Sequence, residues 1–367
     1  MLENIYGWIK REKVLFISAL SALGTMFWIT PDAEYITYID WRVLALLFSL
    51  MAVTAGFQNC GIFHWLAVTL LKHSRYGWVL SVILVLLPFF CAMLVTNDVA
   101  LLTFVPFTLL LLDKIIYRKY AVIILVLQTL AANLGSMATP VGNPQNLFLY
   151  TTYELSASEF FSVMFPLTLI SFIILTMASF MILPKKLPDF ELEGQIGQPV
   201  QLVIYGILFI GCLLTVFRIL PYQITTIVVF LTLSAVNIQI LKHLDYALLA
   251  TFICFFIVSG NLGRMEAVQD FLQLFLQKDI LLTAAVSSQF ISNVPAAVLL
   301  SEFTNDWKPL LEGVNIGGLG TPVASLASLI TLKIYLSYPG ADLRKYFFLF
   351  TSANVTGLII LLTAAVI

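Results

Sequence analysis

Two segments carry the residues best suited to holding a small ion. Residues 133–141 read NLGSMATPV and residues 315–323 read NIGGLGTPV. They share Asn133/Asn315, Gly135/Gly317, Thr139/Thr321, Pro140/Pro322 and Val141/Val323. Most of these residues are polar or helix-breaking, which chance similarity between apolar runs does not produce. Glycine and proline interrupt a helix and release backbone N–H and C=O groups. Released carbonyls, with Asn, Ser and Thr oxygens, are hard ligands of the kind that suit sodium. Two further polar interruptions, Thr96-Asn97-Asp98 and Ser292-Asn293-Val294-Pro295, sit inside apolar stretches. The helix N-termini that such breaks create favour anions. One constellation therefore suits both an anionic substrate and a coupling cation.

The candidate substrate ligands are Thr96, Asn97, Asp98, Thr139, Pro140, Asn146, Ser292, Asn293, Val294, Thr321, Pro322 and Ser328. The candidate cation ligands are Thr96, Asn97, Gly135, Asn143, Ser292, Asn293, Gly317 and Ser325, with sodium as the metal. No cofactor is expected beyond sodium or a proton as coupling ion. Simpler roles stand beside these. Asn97 and Asn293 can hydrogen-bond between packed helices. Gly135, Gly317, Pro140 and Pro322 can do no more than break the helix. Asp98 is the one acidic residue deep in an apolar stretch, where a carboxylate is costly and usually functional. It can cap a helix, bind a cation or carry a proton.

The elements that position these residues are membrane helices. Apolar residues make up 60% of the 367-residue chain and charged residues 11%. A soluble domain has roughly 25% charged residues. A bilayer core takes about 20 apolar residues per helix. The expected spans are 14–31, 42–59, 120–152 (broken), 161–183, 200–217, 221–241, 246–262, 315–336 (broken) and 346–367. Region 280–303 has arms too short to cross on either side of Asn293, and reads as a re-entrant hairpin with Pro295 in the first turn of its second arm. Region 77–112 is a hairpin or two full spans. Segments 61–73 and 265–277 read as interfacial amphipathic helices.

Orientation follows from Lys and Arg in the loops. With the N-terminus inside, the inner loops hold Lys10, Arg11, Lys13, Lys72, Arg75, Lys114, Arg118, Lys119, Lys185, Lys186, Lys242, Arg344 and Lys345. The outer loops hold only Arg42, Arg218, Arg264, Lys278 and Lys308. In this orientation the span opened by Asp40 runs inward and the one opened by Asp245 runs outward, so the two copies are inverted. Inverted repeats with broken helices place a transport site at their interface. The expected fold is an all-α polytopic membrane protein of about nine spans plus two hairpins. Its parts are a first repeat (1–183), a cytoplasmic linker (184–199), a linking helix (200–220) and a second repeat (221–367).

The sequence resembles the ion transporter superfamily of divalent anion–sodium symporters, citrate transporters and arsenite pump membrane subunits. The resemblance rests on IDWRVLALLFSLM (39–51), TNDVALLTFVPFTLLLL (96–112), ATPVGNPQNLFLY (138–150), SNVPAAVLL (292–300) and GGLGTPVASLASL (317–329). In the carboxylate symporters both hairpin tips read Ser-Asn-Thr, so the resemblance implies cation and carboxylate roles for Asn97 and Asn293. The third position departs twice: Asp98 adds a negative charge and Val294 loses a hydroxyl. Ala324-Ser325 stands where Gly142-Asn143 stands in the first copy. The resemblance also implies an elevator mechanism.

The expected function is secondary active transport of a small anion, a carboxylate such as citrate or an inorganic oxyanion, with arsenite-type efflux or sodium/proton exchange as the alternative. An enzyme would need a nucleophile, base or metal cluster at membrane depth. His64, His73 and His243 and the scattered Cys60, Cys91, Cys212 and Cys254 do not have the spacing for one. A channel would not need two inverted broken helices. The net charge of −1 gives no basic field for nucleic acid. The expected partners are the small anion, the lipid bilayer and a second copy of the chain, in a bacterial plasma membrane.

Overall fold

Asp40 and Asp245 open two helices in the same way. Each carboxylate accepts a backbone N–H three residues on, from Val43 and Leu248, both at 2.9 Å. This satisfies a donor that every helix start leaves without a partner. The computed structural model describes residues 12–72, 76–115, 117–180, 182–183 and 194–366. Lys10, Arg11, His73, Arg75, Lys185, Lys186 and residues 184–193 of the expected linker lie outside them.

The described residues form helices and no β-strand. In the first half these are α1 (Lys13–Thr25), α2 (Tyr35–Tyr38), α3 (Trp41–Asn59), α4 (Ile62–Leu71), α5 (Gly77–Ala92), α6 (Asn97–Lys114), α7 (Ala121–Ser136), α8 (Pro144–Thr152) and α9 (Ala157–Ser179). Then come α10 (Pro199–Val216), α11 (Tyr222–Lys242), α12 (Tyr246–Gly263), α13 (Glu266–Leu276), α14 (Ile280–Ile291), α15 (Asn293–Ser301), α16 (Trp307–Ile316), α17 (Leu326–Leu336) and α18 (Leu343–Val366). Seven are long and apolar enough to cross a membrane: α3, α7 with its preceding turn, α9 to α12, and α18. Their outward faces stay apolar, with Phe165, Met177, Ile207 and Phe348 exposed, as a lipid-facing surface requires.

Two expected spans differ. The described helix in 14–31 stops at Thr25. Phe27 and Trp28 raise the hydropathy of that stretch but lie in the turn before Pro31, which disfavours helix in the residue ahead of it. The second broken span begins at Trp307 and not at 315. Lys308 and Glu312 lower the hydropathy of its first arm, although Glu312 is buried. The two segments read as amphipathic are α4 and α13. The first buries Ala67, Val68 and Leu71; the second buries only Leu276 and exposes Phe271, Leu274 and Phe275.

Packing repeats itself across the two halves. α5 lies along α7 and α14 along α16, so in each half the first arm covers the helix that precedes the break. Glycine permits the approach. A Cβ on Gly135 would sit 2.0 Å from the Phe89 carbonyl oxygen, and one on Gly317 would sit 2.8 Å from Ala285 Cα. Phe89 and Ala285 occupy corresponding positions ahead of Asn97 and Asn293. The second arms cross over: α6 packs on α17 and α15 on α8. Each second arm therefore lies on the helix that comes after the other half's break.

Candidate functional site

Each break releases carbonyls that need donors. In the first, between α7 and α8, the Thr139 hydroxyl donates to the Met93 carbonyl at 2.5 Å. Asn143 caps α8, its side-chain oxygen accepting from the Asn146 N–H at 2.9 Å, and Pro144 takes the first helical position, where no N–H is needed. The Asn146 amide turns back and donates to the Met137 and Thr139 carbonyls at 3.3 and 3.2 Å. In the second break, the Thr321 hydroxyl donates to the Gln289 carbonyl at 3.0 Å. Gln289 holds the position that corresponds to Met93. Its amide donates to the Gly317 and Leu319 carbonyls at 2.8 and 2.9 Å, and its side-chain oxygen accepts from the Thr321 N–H at 2.9 Å.

The breaks are also tied to each other. Asn143 donates to Asn315 at 3.3 Å and Asn315 donates to Asn146 at 2.6 Å. Ser325, which corresponds to Asn143, donates to Asn133, which corresponds to Asn315, at 3.0 Å. At the tips, the Asn97 N–H donates to the Gly142 carbonyl at 3.3 Å and the Asn293 N–H to the Ala324 carbonyl at 3.0 Å. The first N–H at Asn97 and at Asn293 is therefore not free for an anion. At both tips the neighbouring break uses it, because the break's own carbonyls have left their helix.

The tips differ in their side chains. The Asn97 amide donates to Asn133 at 2.9 Å. Asn293 makes one long contact, from the Ser292 hydroxyl at 3.5 Å, so its carboxamide is left to the cavity it lines. Ser292 sits at φ +73°, ψ 154°, a region that costs a non-glycine residue strain, whereas Thr96 is relaxed at φ −66°, ψ 152°.

These elements enclose a cavity of about 400 Å³. Four helix starts reach it: Asn97 and Asp98 of α6, Pro144 and Gln145 of α8, Asn293 and Val294 of α15, and Ser325 and Leu326 at the head of α17. α1 and α12 close it with Ser18, Ser21, Thr251 and Ser259 among mostly apolar side chains. Asp98 is its one charged residue, and no Lys, Arg or His lines it among the described residues. Of the candidates, Asn97, Asp98, Ser292, Asn293, Val294 and Ser325 line the cavity. Thr96, Gly135, Thr139, Pro140, Asn143, Asn146, Gly317, Thr321, Pro322 and Ser328 do not. Gly135 and Gly317 allow close packing, and Thr139, Asn143, Asn146 and Thr321 hold the breaks in shape.

Sequence reasoning missed Gln145 and Gln289. Gln145 lies inside the quoted GNPQN segment. Gln289 had a signal too, as a lone amide in the apolar arm of α14.

The family described as citrate transporter matches residues 5–311. An uncharacterized transporter of Methanocaldococcus jannaschii is 32% identical over 327 residues, covering 88% of each chain. The inner membrane protein YbiR of Escherichia coli is 28% identical over 333 residues, covering 89% of this chain and 88% of its own. An uncharacterized transporter of Mycobacterium tuberculosis is 27% identical over 159 residues, covering 43% of this chain and 36% of its own.

Proposed function

The chain belongs to the citrate transporter family, within the ion transporter superfamily, and we propose that this multi-pass membrane transporter works by secondary active transport of a small anion coupled to sodium or protons. The observation that carries the reading is the meeting of four helix starts on one cavity. Helix N-termini carry a partial positive charge and attract anions without any basic side chain. Asn97, Asn293, Ser292 and Ser325 add oxygen ligands for a coupling cation. The substrate in this reading is a carboxylate such as citrate, or an inorganic oxyanion.

The reading includes inverted repeats, two re-entrant hairpins (α5–α6 and α14–α15) and an elevator motion in which hairpins and breaks move as one body. The cross-bonds Asn143–Asn315 and Ser325–Asn133 support it, since they join the two breaks into one unit. It also places the N-terminus in the cytoplasm of a bacterial cell and pairs the chain with a second copy. A second reading, arsenite-type efflux or sodium/proton exchange, is favoured by Asp98: an anion in this cavity faces a carboxylate and no basic residue.

A thermal-shift screen of citrate, succinate, sulfate and arsenite, each with and without sodium, tests the first reading. A ligand at a hundred times its Kd stabilises the native state by about 2.7 kcal/mol. An anion that raises Tm, and raises it further with sodium or at lower pH, is the expected result. A shift with sodium alone and none with any anion moves the assignment to the exchanger.

A further inference from the structure

Seven buried side-chain polar atoms lack a hydrogen-bond partner among the described residues. Five of them belong to α7, α17 and α18: Gln128 Oε1, whose amide turns away to Leu84 and Thr108, and Asn133 Nδ2, Ser328 Oγ, Tyr346 Oη and Asn354 Oδ1. Both α17 and α18 pack on α7, and Tyr335 of α17 stacks on Tyr346 of α18 with ring centroids 5.2 Å apart. Unpaired buried polar atoms are destabilising, so five on three helices that pack together call for a cause.

The sequence supplies a pattern. Ser325, Ser328, Thr331 and Tyr335 fall at spacings of three and four, so they share one face of α17. Thr129 and Asn133 face them from α7: Ser325 donates to Asn133 at 3.0 Å and Thr129 to Thr331 at 2.9 Å. All are buried. The face starts in the cavity, which Ser325 and Asp98 both line. It ends at Tyr335, whose hydroxyl accepts the Asp342 N–H at 2.7 Å near Tyr338, itself hydrogen-bonded to Asp113. Arg118, Lys119, Lys333, Arg344 and Lys345 cluster in the segments at this end.

The other half has no such face. The corresponding positions read Asn143, Asn146, Leu149 and Tyr153, with Leu311 where Thr129 stands. The two asparagines close on Asn315, and the leucines interrupt the polar face beyond them. The polar line is continuous on one side only.

We propose that the seam between α7, α17 and α18 binds a file of internal waters and conducts protons between the cavity and the Asp342 end. Apart from Gln128 Oε1, the unpaired atoms of these helices form a complementary set: one amide donor, one amide acceptor and two hydroxyls that do either, with the Tyr346 hydroxyl lying beside that of Thr129. Such sites hold buried water, each molecule making two to four hydrogen bonds. In the relay each water or hydroxyl passes one proton on as it receives another. One proton enters at the Asp342 end, one arrives on the Asp98 carboxylate and leaves it for cavity water before the next follows, and only O–H bonds form and break. The proposal rests on the transporter reading only in making the proton a coupling ion.

The test needs no substrate. X-ray radiolysis of water labels side chains next to ordered water even when they are buried. Tyr346 and Tyr205 are 1% and 0% exposed, and Tyr205 already donates its hydroxyl to Gln201 at 3.0 Å. The protein in liposomes should label Tyr346 several-fold faster than Tyr205; equal rates overturn the proposal. In the same liposomes an inside-negative potential should draw protons inward, read by an internal pH dye. Thr331→Val, which removes one relay hydroxyl at nearly constant shape, should slow that entry by about tenfold or more. Proton entry as fast in Thr331→Val as in the wild type, or none in the wild type, overturns it. A failed anion screen alongside positive results here would sink the anion reading and leave the seam standing.

Discussion

The two breaks satisfy the backbone carbonyls they release with different amides, and only the Met137/Leu319 position is bonded in both. In the first, Asn146 of α8 bonds Met137 and Thr139, so the break is held by the helix that comes after it. In the second, Ser328 stands in Asn146's place. It is too short to reach back, and its hydroxyl has no partner among the described residues. Gln289 of α14 takes over and bonds Gly317 and Leu319, where Leu319 corresponds to Met137. The amide that holds the first break thus comes from the helix after it, α8, while the one that holds the second comes from α14, ahead of it. Symmetric backbone geometry does not require symmetric side chains, because any amide in reach can supply the missing donors. The positions freed by this exchange, Ser328 and Thr331, are where the second half becomes polar along a seam.

Three substitution pairs set corresponding positions, or the two links between the breaks, against each other. The largest effect is expected at Gly135→Ala. Its Cβ would lie 2.0 Å from a carbonyl oxygen of the backbone, which cannot swing aside as a side chain does. Overpacking of a close contact typically costs about 1–3 kcal/mol, and this overlap belongs at or above the top of that range. Gly317→Ala, whose nearest contacts are 2.7 and 2.8 Å, should lose less. Size-exclusion yield and Tm of the two variants decide it, and equal losses would contradict the closer approach at Gly135.

Next comes Asn315→Ala. It strips Asn143 and Asn146 of a partner at once, and each buried unpaired group costs about 1–3 kcal/mol. Ser325→Ala leaves Asn133 still held by Asn97 and should cost about 1 kcal/mol. Denaturation midpoints in detergent measure both. If Ser325→Ala proves the more damaging, Asn315 is not the stronger of the two links between the breaks.

The smallest effect compares the tips. Ser292→Gly relieves a backbone at φ +73° and should hold or raise Tm. Thr96→Gly, at a relaxed φ of −66°, should lower Tm by an amount near the 0.4–1 kcal/mol typical of added chain entropy. Matching losses at both positions would show that Ser292 is not strained.

Much of this was legible in the sequence. The repeated NxGxxxTPV pattern located both breaks, since glycine and proline act through the local backbone. Asn97 and Asn293 were found because a polar residue in an apolar run has few other reasons to be there. Tertiary partners were not legible. Nothing local says that Asn97 spends its amide on Asn133 while Asn293 does not, or that Asn146 faces the break and not the cavity. Gln289 was passed over because its role appears only when α14 lies against the second break. The early start of α16 at Trp307 was hidden because hydropathy counts Lys308 and Glu312 as exposed, and burial of Glu312 is a tertiary fact.

One cavity with two unequal tips stands at the centre of the transport reading, Asp98 on one side and a free Asn293 carboxamide on the other. The direct measurement is uptake of labelled anion, chosen from the thermal-shift screen, into liposomes under an inward sodium or proton gradient. The wild type should accumulate label against its gradient. Asn293→Ala should lose most of that uptake without a loss of Tm, and Asp98→Asn should lose the dependence on the driving gradient. Full uptake in Asn293→Ala, or flux in the wild type that ignores both gradients, would contradict that reading.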